Sequence, residues 1–418
     1  MSVILVEGGY PLEGTVSVQG AKNSVLPMLA ASVLCRGTCR MERCPHLTDV
    51  EAAADIIRHL GGRVCWEGED LVVDAEALTG QDIPEELMGR MRSSVIFLGA
   101  MLARCGGASC FYPGGCELGP RPIDLHLASL RALGAEIKEE GGRLLCRGER
   151  LRGVEIVLAL PSVGATENAM LAACGAEGVT VISNAAREPE IVELQCFLNE
   201  MGASVEGAGS STVVVEGGRV LHGCSHRVRP DRMVAATYLC AAAGAGGSVY
   251  LEGADYRQLS VVLSVLQQAG CRIRSDEKGI RLRSSGRLSA VAPIRTSPYP
   301  GFPTDAQAVM MAALLRSRGT TVFVENLFEN RYRHVPQMQR MGANIRTEGR
   351  VAVVCGAEEL RGAPVRATDL RGGAALVAAG LQAAGVTRVE ETHHIERGYS
   401  DLVGDLARLG ARISRSET

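Results

Sequence analysis

Along this chain of 418 residues, apolar and polar positions fall into a pattern that repeats six times. Its landmark is the end of an amphipathic helix: LGG at Gly61, LGA at Gly134, MGA at Gly202, AGC at Gly270, MGA at Gly342 and LGA at Gly410. These lie 73, 68, 68, 72 and 68 residues apart, a period that signals a repeat architecture. Ahead of each, segments such as DVEAAADIIRHLGG and DLHLASLRALGA carry apolar residues at helical spacing and stop at a glycine able to take a left-handed cap. Beyond most of them, alternation as in GRVCWEGEDLVVDA and ANIRTEGRVAVVCG predicts short strands.

A second helix recurs with the same period, as AKNSVLPMLAASVLCRGT, MRSSVIFLGAMLARCGGA, VGATENAMLAACGAEGVT, DRMVAATYLCAAAGAGGS, TDAQAVMMAALLRSRGTT and LRGGAALVAAGLQAAGVT. These segments are alanine-rich and apolar on nearly every side, which predicts burial all round. Each repeat therefore reads as strand, buried helix, strand, loop, amphipathic helix, strand hairpin. The last has only eight residues after Gly410, too few for its hairpin, while the first 21 residues carry VILVEG and TVSVQG with no helix between them. The N-terminal strands are thus expected to complete the C-terminal repeat. Two lobes of three repeats follow, 22–229 and 1–21 plus 230–418, joined by two crossings and predicting a hinged cleft.

Composition narrows the partners. The net charge of −3 and 22% charged residues give no basic face for nucleic acid. No apolar run is long enough to span a membrane and no signal-like segment opens the chain, so no membrane partner is expected. The 14 cysteines lack the compact spacing of a secreted framework, which predicts a reducing, cytoplasmic setting. Cys35, Cys39, Cys44 and His46 fit no zinc spacing, and no metal is expected. Of 44 basic residues three are lysines; Lys138 and Lys278, in IKEEGG and DEKG, read as polar hairpin turns, and Lys22 alone precedes an apolar stretch.

Polar residues gather at the starts of the buried helices: Lys22 and Asn23, Arg92 to Ser94, Ser162 to Thr166, Asp231 and Arg232, Thr304 and Asp305, Asp369 to Arg371. A helix start offers unpaired N–H groups and a partial positive charge, which suits an anionic substrate. Capping and surface charge explain any single one equally well. The loops before the amphipathic helices add Cys116, Arg121, Glu188, Arg331 and Arg397. Cys116 lies in a glycine loop, 112–122, where a structural thiol is the alternative to a proton donor.

The motifs GAKNSVLP, MRSS, PGGCELGPRPIDLH, SVGAT, NAAREPEI, PDR, FPTD, ENRYRHVP, ATDLRGGAAL and HHIERGY, in this order from about residue 4 to 415, resemble the UDP-N-acetylglucosamine enolpyruvyl transferase family. The resemblance implies an α+β fold, a two-lobed inside-out α/β barrel of six βαβαββ-type units, three per lobe. It implies transfer of the enolpyruvyl group of phosphoenolpyruvate to the 3-hydroxyl of UDP-N-acetylglucosamine with release of phosphate, the committed entry to peptidoglycan precursors, with no cofactor. These two small molecules are the partners it implies.

The same resemblance assigns roles. Cys116 delivers a proton to the methylene carbon of phosphoenolpyruvate, as a thiol with an ordinary pKa near 8.5 can. Asp305 is the base for the sugar hydroxyl, or a helix cap. Lys22, Asn23, Arg121 and Arg397 hold phosphoenolpyruvate, with Lys22 and Arg397 also stabilising developing charge. The sugar nucleotide falls to Arg92, to Arg121, Pro122, Ile123, Asp124 and Leu125, to Ser162, Val163 and Gly164, and to Asp305 and Leu327. Asp369 and Arg371 are expected as a pair that registers closure. Leu160 stands where the family commonly has a lysine against the diphosphate. A shikimate-pathway enolpyruvyl transferase and a non-catalytic nucleotide-sugar-binding relative remain as alternatives; the PGGC loop argues against the first, and the intact charged set against the second.

Overall fold

A computed structural model describes residues 2–114 and 122–417. The chain divides into two compact units, one formed by the residues up to Gln19 and from Pro230 onward, the other by the described residues between Gly20 and Arg229. Each unit holds three four-stranded sheets. All six sheets remain open, so "barrel" describes a threefold arrangement around interior helices and not a sheet closed on itself.

One sheet shows the plan of all. Glu155–Val157 runs parallel to Val179–Ser183, in register Glu155↔Val181, and the helix Val163–Cys174 is the crossover that a parallel pair requires. Val179–Ser183 then pairs antiparallel with Thr212–Glu216, and that strand with Ser204–Glu206, closing the hairpin. Alternate residues such as Thr180 and Ile182 face inward and their neighbours outward, the mark of a sheet solvated on one side.

At the two chain crossings the plan is exchanged. Ser225–Arg227 precedes the helix Arg232–Ala245 in sequence but pairs parallel with Thr38–Glu42, Ser225 opposite Arg40. Leu12–Ser17 precedes Lys22–Ser32 but pairs parallel with Gly247–Glu252, Leu12 opposite Gly247. A strand laid down before a crossing stays in the unit it was made in. Ser2–Glu7 lies between Val386–Glu390 and Arg412–Glu417, with Ile4 opposite both Val389 and Arg415. Both N-terminal strands are expected in the last repeat; only Ser2–Glu7 lies there, and Leu12–Ser17 completes the fourth.

The alanine-rich helices are interior. Arg232–Ala245, Thr304–Ala313 and Leu370–Gly380 pack on one another, and Lys22–Ser32, Phe97–Cys105 and Val163–Cys174 do so in the other unit. Small residues permit that approach: a β-carbon at Gly99 would lie 2.4 Å from the backbone oxygen of Asn168. The second helices are amphipathic; Tyr256–Gln268 buries Leu259, Val262, Leu263 and Leu266 and turns its polar residues outward. It ends at Gly270, whose φ of +107° a side chain would resist. Lys138 lies within the strand Glu136–Glu140 rather than in the turn that follows. No helix among the described residues is long and apolar enough to cross a membrane.

Candidate active site

In the unit between Gly20 and Arg229, Lys22 opens its buried helix and is itself buried, its Nζ donating to Asp49 Oδ2 at 3.0 Å. Asn23, beside it, is half-buried. Asp49 comes from the first turn of Thr48–His59, on the same face as Ala53, Ile56 and Ile57. A carboxylate among apolar neighbours marks a charge kept for a partner; none of the family motifs contains Asp49, but its helical spacing with Ala53, Ile56 and Ile57 is legible in the sequence.

Arg92 begins a 3-10 turn, Arg92–Ile96, and its guanidinium donates to the carbonyl of Pro113 at 3.2 Å. Nearby lies His126, in the helix Asp124–Ala132. Burial, aided by the Arg92 charge, pulls the His126 pKa down to about 4, so the ring is neutral at pH 7. Ser162 caps Val163–Cys174, its hydroxyl accepting from Ala165 N at 3.4 Å. Val163 and Gly164 form the half-buried first turn. Pro122 and Asp124 are exposed, Ile123 is buried and Leu125 half-buried, leading into the His126 helix. Leu160 is exposed two residues before the cap.

In the other unit, Asp305 lies in the first turn of Thr304–Ala313 but does not cap it, because Pro303 holds the cap position. Its carboxylate is held by two buried arginines. Arg331 donates to Oδ1 at 2.9 Å, and Arg371 reaches Oδ2 with Nη2 at 3.2 Å and Nε at 3.3 Å. Arg331 also donates to the Thr304 carbonyl at 3.0 Å. Burial opposes the charge of Arg371, but Tyr399, Asp305 and Asp231 outweigh it and its pKa is raised. The Tyr399 hydroxyl takes a bond from Arg371 at 3.3 Å and shares one with Thr237 at 2.7 Å.

Asp369 is not a side-chain partner of Arg371. It caps Leu370–Gly380, accepting from the backbone N–H of Arg371 and Gly372, while the Arg371 guanidinium turns to Asp305. A buried glutamate fixes the adjoining loop: Glu325 accepts from Thr296 and Thr304 hydroxyls and from the N–H groups of Leu327 and Phe328. The Leu327 N–H is thus engaged within the chain. Arg397 closes the short helix His393–Glu396 and is half-buried.

The structure therefore joins Asp305 to Arg331 and Arg371, Arg92 to His126, His126 to the helix start at Gly164, and Lys22 to Asp49. Cys116 and Arg121 lie outside the described residues. Among the other cysteines, burial pushes Cys146 and Cys271 up to about 11 and Cys174 to about 12, which keeps those thiols protonated and unreactive. Cys35 and Cys39 face each other with sulfurs 3.7 Å apart, and His46 stacks on Trp66. Glu188 holds the cap position of Pro189–Glu200 without a side-chain capping bond.

Six βα repeats with inward helices and charged helix starts define the architecture of an enolpyruvyl transferase. The enolpyruvyl transferase NikO from Streptomyces tendae superimposes with a TM-score of 0.89 at 26% identity, over 100% of this chain and 99% of that one. EPSP synthase from Acinetobacter baumannii, with a TM-score of 0.76 at 19% identity over 100% of both chains, shares the fold. Residues 6–406 match the EPSP synthase (3-phosphoshikimate 1-carboxyvinyltransferase) family, and the chain belongs to that family. It is 48% identical over 415 residues to UDP-N-acetylglucosamine 1-carboxyvinyltransferase 2 of Caldanaerobacter subterraneus subsp. tengcongensis, covering 99% of this chain and 100% of that protein. It is also 48% identical to UDP-N-acetylglucosamine 1-carboxyvinyltransferase 1 of Halalkalibacterium halodurans, covering 99% of this chain and 94% of that protein.

Proposed function

We propose that this enzyme transfers the enolpyruvyl group of phosphoenolpyruvate to the 3-hydroxyl of UDP-N-acetylglucosamine, releasing phosphate. The observation that carries this is the near full-length, 48% identity to enzymes bearing that activity in their names. The family match by itself admits a shikimate acceptor; the identity to the sugar-nucleotide enzymes favours the other. The product enters peptidoglycan precursors, and through them cell shape and division, in the cytoplasm.

Chemically, the sugar oxygen must bond to C2 while C3 gains a proton, giving a tetrahedral adduct that still carries phosphate. Cys116 gives the C3 proton and Asp305 takes the hydroxyl proton. Collapse then expels phosphate and removes a proton from the new methyl group, restoring the double bond as an enol ether. Lys22, Asn23, Arg121 and Arg397 bind the phosphate and carboxylate of phosphoenolpyruvate. Arg92, the 121–125 segment, the Ser162–Gly164 helix start and the backbone at Leu327 bind the sugar nucleotide. The arginine pair fixes the orientation of the Asp305 carboxylate, the kind of positioning that a proton transfer at hydrogen-bond distance needs. An epoxide such as fosfomycin alkylates Cys116.

The test is phosphate release from phosphoenolpyruvate with each acceptor. Release with UDP-N-acetylglucosamine and none with shikimate 3-phosphate is expected. The reverse preference overturns the assignment, and release with neither makes the chain a binding relative only.

A further inference from the structure

Two repeats place a histidine at the same point. His126 and His334 each lie eight residues before the glycine that ends their helix, Gly134 and Gly342. Each histidine lies against a glycine at the start of the next buried helix, His126 through its ring on Gly164 and His334 through its Cβ on Gly372, and these glycines lie 38 residues before Gly202 and Gly410. A β-carbon at Gly164 would sit 2.9 Å from His126 Cε1 and 3.2 Å from its Nε2; one at Gly372 would sit 3.1 Å from His334 Cβ. Burial pulls both histidines down to about 4, with Arg92 adding to it at His126 and Arg331 at His334, where Asp369 opposes it.

The two copies differ in one respect. Beside His334 the helix start carries the chain's own anion, Asp369, which accepts from Arg371 N at 3.1 Å and Gly372 N at 3.0 Å. The matching position, counted back 41 residues from the closing glycine, is Pro161 in the His126 copy. There the cap is the neutral Ser162, and the Arg92 charge lies near enough to act on His126. One copy has a carboxylate built in; the other offers the same helix start and a cation to an anion from outside.

The proton on His126 is fixed by its neighbours. Asn168 Oδ1 accepts from Gly99 N at 2.7 Å, which turns its amide nitrogen toward the Val95 carbonyl and His126 Nδ1, both at 3.1 Å. Nδ1 must then be the acceptor, and the neutral ring carries its hydrogen on Nε2. That Nε2 has no protein partner among the described residues, belongs to a residue 8% exposed, and lies against Gly164.

We propose that His126 is a specificity-determining residue for the sugar nucleotide, its Nε2–H donating to a diphosphate oxygen seated on the Ser162–Gly164 helix start, with Asn168 as the positioning residue that holds the tautomer. The inference rests on the function proposed above.

The test combines calorimetry and steady-state kinetics on the full-length enzyme. His126→Leu is expected to weaken binding of UDP and of UDP-N-acetylglucosamine on the order of tenfold or more, leaving the KM for phosphoenolpyruvate unchanged. His126→Gln, which keeps an N–H near the Nε2 position, is expected to recover most of the loss. Nitrogen-15 spectra of the wild-type imidazole are expected to show Nε2 protonated and Nδ1 bare at pH 7, with the Nε2 proton moving downfield on addition of UDP; a merely structural ring would not respond. Wild-type affinity in His126→Leu, or a proton on Nδ1, overturns the inference. Wild-type enzyme that releases no phosphate with UDP-N-acetylglucosamine overturns the function instead, so the two failures are distinct.

Discussion

Arg371 grips Asp305 through two nitrogens, at 3.2 and 3.3 Å, while Arg331 holds the other oxygen of the same carboxylate at 2.9 Å. A planar guanidinium can do this and an ammonium cannot. Arg371→Lys is therefore expected to cut kcat on the order of 100-fold through misplacement of Asp305. The loss should exceed what a fall in Tm explains. Unchanged turnover in phosphate-release assays would separate Asp305 positioning from catalysis.

The buried pair of Lys22 and Asp49 gives a second expectation. Asp49→Asn removes the negative end of a charge-assisted bond at 3.0 Å and leaves the ammonium in the same buried place. Urea denaturation should show a loss of about 1–3 kcal/mol, and the KM for phosphoenolpyruvate should rise. A variant as stable as the parent, with the same KM, contradicts a working role for the pair.

Glu167 supplies a pH dependence. It lies buried in Val163–Cys174, and burial first, then Glu190 and Glu188, raise its pKa well above the usual carboxylate range. A folded-state pKa above the unfolded value stabilises at pH below the unfolded value, and that contribution is lost as pH rises through the folded one. Glu167→Gln cannot ionise, so its Tm relative to the parent should improve between pH 5 and pH 8. An equal difference at both values would show that Glu167 titrates normally.

Cys116→Ser is expected to lose most turnover while still binding the sugar nucleotide, since a hydroxyl is a far weaker acid. Cys116→Asp keeps a proton donor and should retain activity while escaping epoxide alkylation. Mass spectrometry of the 112–122 peptide after fosfomycin treatment checks the second point, and a labelled Asp variant would contradict it.

Much of this architecture is legible in the sequence because a period of about 70 residues, read from six glycine-closed helices, carries the repeat. The exchange of Leu12–Ser17 and Ser225–Arg227 between sheets is not legible, since strand pairing across a crossing leaves no mark on either strand's own pattern. Asp231 and Asp369 read correctly as helix-start residues, yet the destination of Arg371 depends on a carboxylate 66 positions away. Asp305 reads from its place near a helix start as either base or cap; Pro303 holds the cap position, and the carboxylate goes instead to Arg331 and Arg371. His126 and His334 are paired by counting back from Gly134 and Gly342, but only packing shows that each lies against a glycine of the next buried helix.

The most direct test is the isotope content of the product made in heavy water. If a proton is added at C3 to form a methyl group and one is then removed, the enolpyruvyl ether must carry deuterium on its methylene carbon. A product formed at full rate with no deuterium there would contradict proton delivery to C3, and with it the role given to Cys116.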